Sequence, residues 1–167
     1  MSLAISLSAS CLISGFIFII GNGPTISDFK EHIFQYIEKY RPITMGANNI
    51  GEFYHPDYHA FTNRNRFYLF SKSIDAGKSK VLLGAYLTKH LIRTHYKGPY
   101  ERLMYAHDNE APFGIDDGVL LASCRSIGAL LIGVALAMGA AEVNVVGFDG
   151  WLHLVNNDRD IDYLPAY

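Results

Sequence analysis

Five apolar residues, Phe16-Ile17-Phe18-Ile19-Ile20, run without a break into Gly21-Asn22-Gly23-Pro24-Thr25. That junction constrains the fold more than any other feature of the chain. An aromatic and β-branched run with no polar alternation suits a strand buried on both faces, and such strands belong to parallel sheets covered by helices. The glycines and proline stop the strand sharply. Thr25-x-x-Asp28 is a capping-box-like start for a helix. Ile26, Phe29, Ile33, Phe34, Ile37 and Tyr40 then recur at helical spacing, with Asp28, Lys30, Glu31, Glu38 and Lys39 on the other side, until Pro42 ends the segment.

The same alternation of strand and helix continues. Ile43 to Ala47 reads as a second strand running into Asn48-Asn49. Pro56-Asp57 makes a turn before a third strand, Tyr58 to Thr62. A helix-like aromatic stretch follows Asn63-Arg64-Asn65-Arg66 to about Ile74. Lys80 to Leu83 is a fourth strand and Arg102 to Tyr105 a fifth. His107 to Gly118 is polar and acidic and reads as a loop. Ser123 to Gly139 is a helix apolar nearly all round, hence central and buried. Glu142 to Gly147 is a last strand, closed by Phe148-Asp149-Gly150. The expected fold is α/β, a three-layer Rossmann-like, mostly parallel sheet with helices on both faces. The 167 residues form one domain by length, with residues 1–14 and 151–167 peripheral to it; the chain is expected to be a piece of a longer protein.

Residues 1–27 carry no charge, and Leu3 to Ile20 is long enough to raise a membrane span. No Lys or Arg precedes it, serines interrupt it, and its end is strand-like, so a buried strand is the better reading. Ile127 to Val146 contains Glu142 and Asn144 and reads as a helix followed by a strand. Half of the residues are apolar and 18% are charged, which excludes disorder. A net charge of −2 argues against a nucleic-acid partner, which needs a basic face. Two cysteines, Cys11 and Cys124, make no disulfide framework, and the default setting is cytoplasmic.

In a parallel sheet, ligands bind at the carboxyl ends of the strands, and the candidate site residues fall there. Gly21 and Gly23 allow a backbone to approach a ligand, and Asn22 and Thr25 add side-chain donors at a helix start that favours an anion. The motif lacks the third Gly of a dinucleotide fingerprint and the Lys of a P-loop, and a plain strand-to-helix turn is the competing reading. Asn48, Asn49 and Asn63 end successive strands, and asparagine can read hydroxyls and base edges, or simply make a turn. Arg64 and Arg66 are solvated or phosphate-binding. Arg125-Ser126-Ile127-Gly128 opens the buried helix, where Ser126 is an N-cap and Gly128 permits close approach. Asp149 accepts from a sugar hydroxyl or caps a turn. Tyr54 and Tyr58 could stack on a base. His55 and His59 stand four apart, but Pro56 removes the helix a zinc pair needs, so no metal site is assigned. His107-Asp108 and His153 are acid–base groups without a recognisable context.

Gly21-Asn22-Gly23-Pro24-Thr25 resembles the GNGPS signature of small Rossmann-like bacterial sialyltransferases, of flagellin-glycosylation accessory proteins and of archaeal pterin diphosphokinases. Asn48, Asn63 in its Phe-x-Asn setting, Ser126-x-Gly128, Gly139, Glu142 and Gly147-x-Asp149 extend the likeness over residues 16–150. Thr25 stands for the family's Ser, and Ser126-Ile127-Gly128 for its Thr-Ser-Gly. The resemblance implies that Gly21, Asn22, Gly23, Thr25, Ser126 and Gly128 hold nucleotide and phosphate, and that Asn48, Asn63 and Asp149 face the sugar or acceptor. It implies a nucleotide or nucleotide-sugar ligand, a CMP-sugar-dependent glycosyl transfer, and no required cofactor. The family's catalytic histidine and tyrosine lid lie beyond the Gly-x-Asp strand. Here 17 residues follow Gly150 and His153 stands at another distance, so no catalytic residue is assigned. Two alternatives stay open. One is an ATP- and Mg-dependent diphosphokinase using Asp108, Glu110, Asp116, Asp117 and Asp149. The other is a non-catalytic domain, homo-oligomeric or fused to an aldolase-type sugar-pathway enzyme.

Overall fold

The computed structural model describes residues 15–107, 113–122 and 126–149. The first strand, β1 (Phe16–Ile20), pairs in parallel on one side with β2 (Ile43–Ala47) and on the other with β9 (Glu142–Val146). Beyond β2 follow β3 (Tyr58–Phe61), β4 (Lys80–Gly84) and β5 (Glu101–Leu103), all parallel. The six-stranded order is therefore β5-β4-β3-β2-β1-β9. The expected Rossmann-like α/β fold is what the chain adopts.

The side-chain alternation of a strand sends odd and even residues of β1 to different layers. Ile17 and Ile19, with Met45, Ala47, Ala60 and Leu82, pack on the apolar helix α5 (Ile127–Ala137) through Leu130, Leu131, Val134 and Ala135. Phe18 and Ile20 face the other way, onto Ile26 of α1 (Thr25–Asp28) and Ile33 of α2 (Lys30–Tyr40). The same layer continues under α3 (Arg64–Phe70) and α4 (Lys89–His95), where Phe61, Val81 and Leu83 meet Phe67 and Ile92. Ile17, Ile19 and Ile20 are wholly buried. Each contributes about 1.5–3 kcal/mol by leaving water, which is what the uninterrupted apolar run encodes. Among the described residues no helix is long and apolar enough to cross a membrane. Ile127 to Val146 resolves into α5 and β9.

Several local expectations are corrected. The helix after the glycine motif is two pieces, interrupted at Phe29 (φ −109°, ψ 15°). Its N-cap is Pro24, with no side-chain cap, so the Thr25–Asp28 box does not form. Phe29 and Tyr40, placed on the apolar face by spacing, are about half exposed. The expected fifth strand divides at Met104. Glu101–Leu103 closes the large sheet, while β6 (Tyr105–His107) enters a second sheet with β8 (Val119–Ala122) and β7 (Gly114–Asp116). The presumed loop from His107 to Gly118 thus contains the β7 strand. Asp117 and Gly118, both at positive φ, form its hairpin turn to β8. An Asp-Gly pair is a strong hairpin signal, and it was available in the sequence.

Candidate functional site

The chain leaves β1 toward β2 and builds outward to β5, then returns to lay β9 against the other side of β1. The strand order reverses at β1, so the carboxyl ends of β1 and β9 flank a topological switch point, the usual ligand position in open α/β sheets. Gly21-Asn22-Gly23-Pro24-Thr25 leaves β1 there and Gly147-Phe148-Asp149 leaves β9 there.

The two loops are bonded to each other. The Gly21 amide donates to the Val146 carbonyl at 2.8 Å and the Gly23 amide to the Gly147 carbonyl at 2.9 Å. The Thr25 hydroxyl donates to Asp149 Oδ1 at 2.7 Å, and the Thr25 amide to Oδ2 at 3.3 Å. A Cβ on Gly23 would fall into the Asp149 carboxylate and stand 2.8 Å from the Gly147 carbonyl oxygen. Gly23 is therefore a requirement of loop–loop approach. Gly147 has φ +69°, and a Cβ there would lie on the Ile26 side chain, so the position suits glycine on both grounds. The capping role expected of Asp28 is filled by Asp149. Its carboxylate sits at the start of α1 and takes the Thr25 amide there.

Asn22 turns the other way. Its Nδ2 donates to the Ala47 carbonyl at 2.9 Å, joining the β1 loop to the exit of β2. The next residue, Asn48, has φ 56°, in the left-handed region, and opens a 3₁₀ turn, Asn48–Glu52. Its carbonyl lies 2.8 Å from His59 Nε2. The β2 exit is thus gripped from both sides, by Asn22 from β1 and by His59 from β3. His59 is wholly buried. Burial, together with the neighbouring His55, lowers its pKa to about 4 despite the opposing bond to Asn48, so the ring is neutral near pH 7.

Ser126 caps α5, its Oγ accepting from the Ala129 amide at 3.2 Å. Leu130 donates to the Ser126 carbonyl, which leaves the amides of Ile127 and Gly128 with no acceptor among the described residues. Gly128 abuts Phe148; a Cβ there would stand 2.8 Å from Phe148 Cζ. The start of α5 therefore touches the same β9 loop that Thr25 and Gly23 touch.

Asn63 ends β3 and caps α3, its Oδ1 accepting from the Arg66 amide at 3.0 Å. Arg64 is exposed, and the Arg66 guanidinium lies over the Phe70 ring. Tyr54 packs against Phe34 in the core beneath α2. Tyr58 begins β3, at the amino end of the sheet and away from the strand-end site, so the expectation of stacking there is corrected. It lines instead an apolar cavity of about 140 Å³ with Leu82, Leu103, Leu120, Val134 and Met138. Of the carboxylates considered for a metal, Asp116 and Asp117 lie in the second sheet's hairpin, remote in topology from Asp149. Asp108, Glu110, Cys11, Cys124, Arg125 and His153 lie outside the described residues. In the sequence His59 stands out only as half of a histidine pair; its partnership with Asn48 depends on the β2–β3 pairing, which local spacing does not reveal. No family model, curated protein or solved structure matches the chain.

Proposed function

We propose that the domain binds a nucleotide or nucleotide-sugar by its phosphate at the carboxyl ends of β1, β2 and β9. The observation that carries this reading is the meeting of three separate segments at the switch point. Gly21–Thr25 and Gly147–Asp149 are hydrogen-bonded to each other, and the Ser126–Gly128 helix start rests on Phe148. Asp149 already occupies the start of α1. The anion is therefore assigned to the amides of Ile127 and Gly128 at the head of the longer α5, beside the Ser126 hydroxyl. Asn48 and Asn63 stand at the neighbouring strand ends, within the region a sugar or acceptor would enter.

The resemblance of these motifs to the GNGPS sialyltransferases supports a CMP-linked sugar as the ligand class. Glycosyl transfer on such a ligand is displacement at the anomeric carbon, with the departing phosphate held by the same amide donors. Calorimetry with CMP and CDP, set against ATP and NAD, tests the proposal. Binding of CMP or CDP in preference to the other two is expected. No binding by any of the four at millimolar concentration overturns it, and binding of ATP alone, dependent on magnesium, transfers the site to diphosphoryl chemistry.

A further inference from the structure

Two neighbours share the cover of one face of the large sheet. Helix α5 lies over β1 and β2. Toward β4 and β5 the second sheet joins it, and Leu120 of β8 enters the same apolar cluster as Leu82, Leu103 and Val134. The seam between helix, strands and second sheet holds the cavity of about 140 Å³ that Tyr58 lines. It lies toward the amino end of the sheet. Ala137 and Met138 at the close of α5 line it, as do Lys80 and Glu101 at the openings of β4 and β5. The loops joined by Thr25 and Asp149 stand at the opposite end of the strands.

The lining is graded. Leu82, Leu103, Leu120 and Val134 form the floor, all buried and without a polar atom in their side chains. Lys80, Glu101, Met104 and Ile115 are exposed and mark the mouth. The Lys80 ammonium stands 5.5 Å from the centre of the Tyr58 ring, within reach of cation–π attraction. The mouth thus offers a polar group both a cationic donor and an anionic acceptor.

Protein interiors seldom keep a void larger than a water molecule, because the lining atoms forgo dispersion contacts. A buried water needs several polar partners, which the side chains of this floor do not offer. An apolar cavity of about 150 Å³ takes up benzene. Size and chemistry therefore agree on an apolar ring or a branched aliphatic group.

We infer that this seam is a second ligand site, for a small molecule with a benzene-sized aromatic or branched aliphatic body and a polar end. The body rests on Leu82, Leu120 and Val134, and the polar end stays in water between Lys80 and Glu101. This site shares no residue with the nucleotide site proposed above, and it stands or falls apart from it.

The test uses the full chain with labelled Leu and Val methyls, titrated with benzene and with benzyl alcohol and followed by NMR. Saturable shifts of the Leu82, Leu120 and Val134 methyls are expected with both probes. Their affinities are expected to agree within about fivefold, because the hydroxyl remains at the mouth. Val134→Phe fills the floor and is expected to weaken both about tenfold. Ala137→Leu narrows the same cavity from the end of α5 and is expected to weaken both about threefold. Absence of saturable shifts up to the solubility limit of benzene overturns the inference. A larger than fivefold loss for benzyl alcohol also overturns it, since the mouth then admits no polar end. Affinities unchanged in both variants overturn it as well, by placing the probes elsewhere. If Val134→Phe does not fold, Ala137→Leu decides by the same criteria.

Discussion

The Thr25 hydroxyl and the Asp149 carboxylate meet at 2.7 Å across 124 residues of chain, and this bond joins the strand-end loops on the two sides of the switch point. Because the acceptor is ionised and the Thr25 amide donates to the same carboxylate, the contact belongs to the stronger class of hydrogen bonds. Thr25→Val keeps the shape and removes the hydroxyl. It is expected to lower unfolding free energy by about 1.5–3 kcal/mol, while Thr25→Ser stays close to wild type. Urea denaturation with an unchanged m-value checks both; equal stability of the valine variant would show that the bond carries nothing.

Gly23 is expected to tolerate no side chain. Gly23→Ala forces apart two loops whose separation is set by backbone hydrogen bonds, with a cost of about 2 kcal/mol or more. Gly77→Ala is the control. There the nearest atom to a new Cβ is the end of the flexible Asp75 side chain at 3.2 Å, and a change within about 0.5 kcal/mol is expected. Thermal unfolding of the two variants in parallel separates them.

Stability should fall in acid with a component traceable to His59. Its pKa is about 4 in the folded chain against 6.5 ordinarily. The unfolded chain therefore binds a proton more readily, and between those two values folding is progressively disfavoured as pH falls. The full effect is about 3 kcal/mol, complete below pH 4 and absent above the ordinary histidine range. His59→Gln should show a shallower loss of unfolding free energy between pH 6.5 and 4; identical slopes would contradict the burial argument.

At the amino end of the sheet, Asp57 Oδ2 accepts from the Thr44 amide at 2.8 Å and from the Thr44 hydroxyl at 2.7 Å. The Asp57 amide donates back to that hydroxyl oxygen at 2.9 Å. Thr44 is 1% exposed, so its donors have no access to water. Asp57→Ala is expected to cost about 2–4 kcal/mol and Asp57→Asn about 1 kcal/mol, measured by chemical denaturation, because the amide oxygen can still accept.

Much of the α/β layout is written in short stretches. The Phe16–Ile20 run encodes double-sided burial, α5 is apolar on every face, and Ser126 and Asn63 cap the helices that follow them. These features depend on neighbours within one turn or one strand, where residue type alone carries the physics. The second sheet was less legible. Its strands span three or four residues each, too short for a period to emerge, and only Asp117-Gly118 marked the turn between β7 and β8.

What the sequence by itself determined is which segments are buried and where each stops: the apolar run, the glycine motif, the capping residues. What only the tertiary structure decided is who meets whom at the strand ends. Thr25 takes Asp149 rather than Asp28, Asn22 takes the β2 carbonyl, and His59 takes Asn48. The reason is geometric. A side chain's local options are fixed by its own backbone, but a partner on another strand comes within bonding distance only once the parallel strands have settled their order: β2 beside β1 and β3 for Asn22 and His59, and β9 beside β1 for Thr25, whose partner is 124 residues away.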